Sequence, residues 1–180
     1  MKLSCQESLE QFINRVLLRD LALLLSCRQL RYLGFALIAG GIEFLGACTD
    51  RYPFEERGRS EKRFRRGIEH FLKTIDTRYA QYNIASSPYY LYRYLRHAMV
   101  QSVWQHSRLA LMTRGEASKD GNGHLVIDGE SRKLVLVDED FYADFALACD
   151  ALKAQLSTLV LRKPEPSDRV SSRTVAKRTD

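Results

Sequence analysis

Apolar positions recur at helical spacing along most of this chain, and the places where that period fails mark the joints of the fold. Leu9, Phe12, Ile13, Val16 and Leu17 fall on one face of a first helix over residues 6–27. Residues 29–48 are apolar over nearly the whole helical surface, which predicts a second helix central to the core. Its small residues, Gly34, Ala36, Gly40, Gly41 and Gly46, let neighbouring helices approach closely at some cost in helix propensity. No strong breaker lies between the two, so they can run as one continuous helix. Asp50, Pro53 and Gly58 mark a loop over residues 49–58. A third helix starts at Ser60, with Phe64, Ile68, Phe71 and Leu72 as its apolar stripe. Ser87 and Pro88 read as the N-cap and first position of a fourth helix over residues 88–107.

Beyond the fourth helix the period changes. Residues 115–123, GEASKDGNG, are polar and glycine-rich and predict a surface loop. Residues 124–137 hold two β-favouring runs, HLVI and KLVLV, around Asp128-Gly129, a pair suited to the positive φ of a hairpin turn. Asp138 or Asp140 can cap a last helix with Phe141, Phe145, Ala148, Leu152, Leu156 and Leu159 as its stripe. From Lys163 onward Pro, Ser, Arg and Lys dominate, as in disordered tails. The prediction is an all-α fold: a helical bundle of about five helices with a small β-hairpin inserted before the last helix. It forms one domain over residues 1–162, followed by a basic tail over residues 163–180.

Charge narrows the partners. The 180 residues carry a formal net charge of +6, which favours polyanions such as nucleic acid or phosphorylated ligands. Six basic residues crowd residues 57–66, RGRSEKRFRR, against Glu61 alone. Arg63 and Arg66 are taken from this run as binding residues that track a nucleic-acid backbone, and a solvated helix start is the plainer alternative. The four cysteines, Cys5, Cys27, Cys48 and Cys149, show neither CxxC spacing nor a nearby histidine at zinc-ligand spacing. That pattern suits a reduced, cytoplasmic chain without metal. No phosphate loop, nucleophile elbow or dinucleotide fingerprint is present, so no cofactor is expected. The apolar stretch over residues 33–48 is shorter than the roughly 20 residues of a membrane span and carries Glu43, so no membrane partner is expected.

The fourth helix holds the candidate chemistry. Helical spacing places Arg93, Arg96, His97, Val100, Gln101 and Trp104 on one face. A guanidinium beside an imidazole can grip a phosphate and move a proton. Arg96 and His97 are therefore the candidate catalytic pair, with Arg93 and Gln101 as binding neighbours. An equally good role for Arg96 is an ion pair with Glu43, which needs a partner inside an apolar helix. Tyr89, Tyr90, Tyr92, Tyr94 and Trp104 can stack on bases, although aromatics at helical spacing more often fill a core or a dimer seam. His70 and His124 have no evident partner in the sequence.

Three segments give the chain a family resemblance: GGIEFLG (residues 40–46), LYRYLRHAMVQS (residues 91–102), and the hairpin followed by DEDFYADF (residues 138–145). In this order they resemble the HEPN family (higher eukaryotes and prokaryotes nucleotide-binding), helical bundles that usually pair as homodimers. The likeness covers roughly residues 37–156. In active members an R-x4-6-H motif cuts RNA without metal at a cleft shared by two subunits. Arg96 matches the motif arginine, but the histidine position holds Gln101, which cannot exchange a proton near pH 7. His106 lies beyond the permitted spacing. The resemblance implies a non-catalytic dimeric module binding RNA or another phosphate-bearing partner, in a defence or toxin–antitoxin setting. Two alternatives stay open: a metal-independent ribonuclease using Arg96 with His97 or His106, and a module that binds a protein partner and no nucleic acid.

Overall fold

The structure, a computed structural model, describes residues 5–97, 108–156 and 158. The expected tail and Leu159 lie outside the described residues. The first helical segment runs as α1 (Cys5–Phe12), a π-type stretch (Ile13–Asp20) and α2 (Leu21–Ser26). Cys27 then turns extended, with φ −92° and ψ 106°, so the first two helices are separate and not one rod. A single 3-10 turn (Arg28–Leu30) leads into α3 (Arg31–Thr49). Of the stripe expected on the first helix, Ile13 and Leu17 are buried, whereas Phe12 and Val16 are about 40% exposed (39% and 40%). The π-type turns widen the helix and rotate that face away from the core.

Helix α3 is the centre of the bundle: Phe35, Ile38, Ala39, Ile42 and Leu45 are fully buried. The stretch Arg28–Thr49 is long and apolar enough, by length and composition, to cross a membrane. Its buried face and the bonded Glu43 instead fit the core helix of a folded bundle. The third helical segment, α4 (Ser60–Gly67), a π-type stretch (Ile68–Leu72) and α5 (Lys73–Ile75), packs antiparallel to it. Phe64, Ile68, Phe71 and Leu72 are buried on it as the stripe predicts. Glycine sets this crossing. A Cβ on Gly46 would collide with the backbone carbonyl of Arg63, and one on Gly67 with the carbonyl of Ile42.

A 3-10 segment (Thr77–Asn83) follows, capped by Asp76, whose side chain accepts from the Arg78 N–H. Pro88 and Tyr89 form a turn, not the first turn of a helix; helical backbone begins at Leu91 and continues through Tyr92–His97. The Tyr89 hydroxyl donates to the Arg132 carbonyl and that of Tyr90 to Glu61. These two anchors hold the turn against the hairpin and α4. Both rings are buried, and Tyr92 and Tyr94 pack against the same core, so these four tyrosines pack in the bundle; Trp104, the fifth ring of that expectation, lies outside the described residues.

The hairpin belongs to a larger sheet. β1 (Leu109–Met112) pairs in parallel with β3 (Leu134–Val137), and β2 (Val126–Ile127) pairs antiparallel on the other side, giving the order β1-β3-β2. All four residues of the central strand are buried. The turn is wider than Asp128-Gly129 alone suggests. Asp128 donates its N–H to the Lys133 carbonyl, its carboxylate accepts from the Ser131 N–H, and the positive φ of 55° falls on Arg132, not on Gly129. The stretch expected as a loop holds α6 (Arg114–Lys119), started by a capping box in which Thr113 and Glu116 bond each other's backbone N–H. The last helix, α7 (Asp138–Lys153), starts after Val137 without a side-chain cap; Asp138 lies in its first turn. Phe141, Phe145, Ala148, Leu152 and Leu156 are fully buried, as its stripe predicts. Cys48 and Cys149 are buried among these apolar side chains. The chain is thus mostly helical, with a three-stranded sheet where a two-stranded hairpin was expected.

Candidate functional site

The loop between α3 and α4 is held by one arginine. Arg63 is 5% exposed. Its Nε donates to Asp50 Oδ2 at 2.8 Å, and its two terminal nitrogens donate to the carbonyls of Phe54 and Pro53 at 2.7 and 2.6 Å. Asp50 Oδ1 in turn accepts the N–H of Tyr52 at 3.0 Å. A buried charge is tolerated only when paired and bonded in this way. Arg63 is therefore an interior clamp, and its place on the expected binding surface is corrected: no side-chain nitrogen is left to face a ligand.

What the clamp positions is a cleft of about 550 Å³ lined by Cys48, Thr49, Asp50, Arg51, Tyr52, Arg59 and Arg66. Arg51 and Arg66 are exposed and Arg59 is half-buried. The Arg59 guanidinium lies over the Tyr52 ring, its carbon 3.1 Å from the ring centroid. A guanidinium carries five N–H donors, so Arg59 can hold Tyr52 and still offer donors to an anion. The charge of Arg59, then side-chain hydrogen bonds from Arg59 and Arg51, hold the Tyr52 phenol below its ordinary pKa. The carboxylate in the lining, Asp50, is already bonded to Arg63. The cleft is thus cationic, with a volume in the range of small-ligand sites.

The expected face of the fourth helix is only partly described. Arg93 is exposed. Arg96 Nε donates to Glu43 Oε2 at 2.8 Å, and Ser60 Oγ donates to the same oxygen at 2.7 Å. Arg96 thus ties the fourth helix to α3, the role weighed against phosphate binding in the sequence. The side chain of His97, and Val100, Gln101, Trp104 and His106, lie outside the described residues. Among the described residues, Arg66 is the one predicted site residue in the lining of the cleft.

A second polar cluster went unread. The Val137 N–H donates to His124 Nδ1 at 3.1 Å, which fixes the proton of the neutral ring on Nε2. That nitrogen sits 2.9 Å from the Tyr79 hydroxyl, which donates to Asp144 Oδ2 at 2.9 Å. Burial lowers the His124 pKa to about 4, and burial raises that of Asp144. Both groups therefore serve the packing of α7 on the 3-10 segment. Asp138 is also buried; desolvation, then the adjacent Glu139 carboxylate, pushes its pKa up. Among the described residues no group of three or more His, Cys, Asp or Glu side chains converges as a metal site.

Compared with family models, with curated proteins and with solved structures, the chain matches none of them. The cleft therefore rests on its own chemistry.

Proposed function

We propose that this chain is a non-catalytic, HEPN-like module that binds RNA through the arginine-lined cleft and works as a homodimer in the cytoplasm. One observation carries the RNA reading: Arg51, Arg59 and Arg66 meet around Tyr52 in one cleft whose carboxylate is already bonded to Arg63. Exposed guanidiniums without a competing carboxylate attract phosphate. Gln101 at the motif's histidine position supports the absence of catalysis, since an amide supplies no general base. The homodimer rests on an apolar strip: Phe12, Val16 and Leu23 along the first helical segment, and Leu30, Leu33 and Leu37 along the second, all at least 39% exposed. Exposed patches of that kind mark interaction surfaces.

The test is fluorescence anisotropy of a single-stranded RNA against salt. Three arginine–phosphate charge contacts give a log–log slope of about −2, from roughly 0.7 per contact. Arg59→Ala and Arg66→Ala each weaken binding and flatten the slope. Absence of binding at about 50 mM salt sinks the RNA reading in favour of a protein partner. With chelator present the RNA stays intact; cleavage that Arg96→Ala abolishes would overturn the non-catalytic part.

A further inference from the structure

The cleft is more specific than a basic surface. It is a pocket of about 550 Å³ with three arginines in its lining, a volume that takes one nucleotide and not a run of them. Backbone phosphodiesters carry one negative charge each, whereas a phosphate monoester, with a second pKa of about 6, carries close to two at neutral pH. Three guanidiniums lining one open cleft match the monoester better, since each can give paired N–H bonds to its oxygens. Arg59 is already oriented by its contact with the Tyr52 ring, and Tyr52 by the Asp50–Arg63 clamp, so little further ordering of Arg59 is left for binding to impose.

We propose that the Arg51–Arg59–Arg66 cleft receives a phosphate monoester, the terminal phosphate of an RNA strand or of a mononucleotide. This rests on the RNA reading above and adds that the protein holds an end and not a stretch of backbone. The remaining arginines of the run, Arg57 and Arg65, are exposed but outside the cleft lining and add only general attraction.

Isothermal titration of the full chain in phosphate-free buffer tests it. The probes are RNA octamers of one sequence with a 5′-phosphate, with a 3′-phosphate or with neither, and adenosine 5′-monophosphate against adenosine. Tighter binding of one phosphorylated octamer, by about tenfold, supports the proposal and names the end. Binding of the mononucleotide with no octamer bound supports the pocket and refutes the RNA reading. Equal affinity for all three octamers, without mononucleotide binding, overturns the proposal and leaves the RNA reading standing. Binding of no probe overturns both. Arg59→Ala and Arg66→Ala, checked for unchanged melting, abolish the preference while Arg57→Ala keeps it. Equal loss in Arg57→Ala reduces the pocket to a diffuse basic field and overturns the proposal.

Discussion

Acid titration of His124 tests the account of the interior most directly. The ring is 7% exposed and held neutral between the Val137 N–H and the Tyr79 hydroxyl, so its pKa falls from 6.5 to about 4 on folding. A base whose folded pKa is depressed destabilises the native state as pH falls, because the unfolded chain takes the proton first. At pH 7 both states are neutral and nothing is lost. By pH 5 the cost is about 2 kcal/mol and by pH 4 about 3 kcal/mol, from 1.36 kcal/mol per pKa unit. Asp138 and Asp144 work in the opposite direction. Their folded pKa values are raised, so the native state gains on protonation below neutrality and the whole-protein profile is flatter than His124 alone would make it. A difference experiment separates them. His124→Gln keeps an amide near Tyr79 but has no proton to gain, and it costs about 1–3 kcal/mol at pH 7 through the orphaned Val137 N–H. Urea unfolding of both proteins from pH 7 to pH 4 is expected to show the wild-type advantage shrinking by about 3 kcal/mol. An advantage that stays constant over that range refutes the buried, neutral histidine.

Removing Asp50 strands a buried guanidinium, so Asp50→Ala costs about 3–5 kcal/mol in urea unfolding and removes RNA binding along with the loop order. Gly46→Ala drives a methyl into the Arg63 carbonyl and lowers stability by at least about 1–3 kcal/mol, read as a fall in melting temperature. Arg96→Ala loses a half-exposed ion pair and its packing, costs about 1–2 kcal/mol in the same assay, and leaves the anisotropy titration unchanged. If the proposed homodimer forms through this strip, Leu33→Glu, at a position 52% exposed, gives a monomer in sedimentation that still unfolds cooperatively, with a melting temperature independent of protein concentration.

The apolar stripes of the third and last helices and the all-round apolarity of α3 were legible because burial there follows the helical period residue by residue. The first helix was legible only in part, since its π-type turns shift the face that a regular period assigns to Phe12 and Val16. β1 was missed for a different reason. Its Leu-Ala-Leu-Met has neither alternation nor β-branched residues, and what makes it a strand is pairing with β3, 25 residues away at Leu109↔Leu134. α6 did carry a local signal, Thr113 three residues before Glu116, but the surrounding glycines and polar residues outweighed it.

The candidate site was harder to see because its charges had to be divided by function, and burial alone divides them. Arg63 and Arg66 are three residues apart, so they stand only about 60° apart on a helix of 3.6 residues per turn, and helical period alone does not separate them. What separates them is the partner each side chain meets: Arg63 is buried on Asp50, whereas Arg66 lines the cleft. Arg51 lies outside the run altogether and joins it only because the loop folds back at Pro53. The same division explains Arg96. Its position matched a phosphate-gripping arginine, but Glu43 sits one helix away inside apolar surroundings, and a carboxylate there recruits the nearest guanidinium. Of the arginines read as one polyanion-binding set, two are therefore committed to holding the bundle, and those free to bind are ones whose neighbouring carboxylates are already paired.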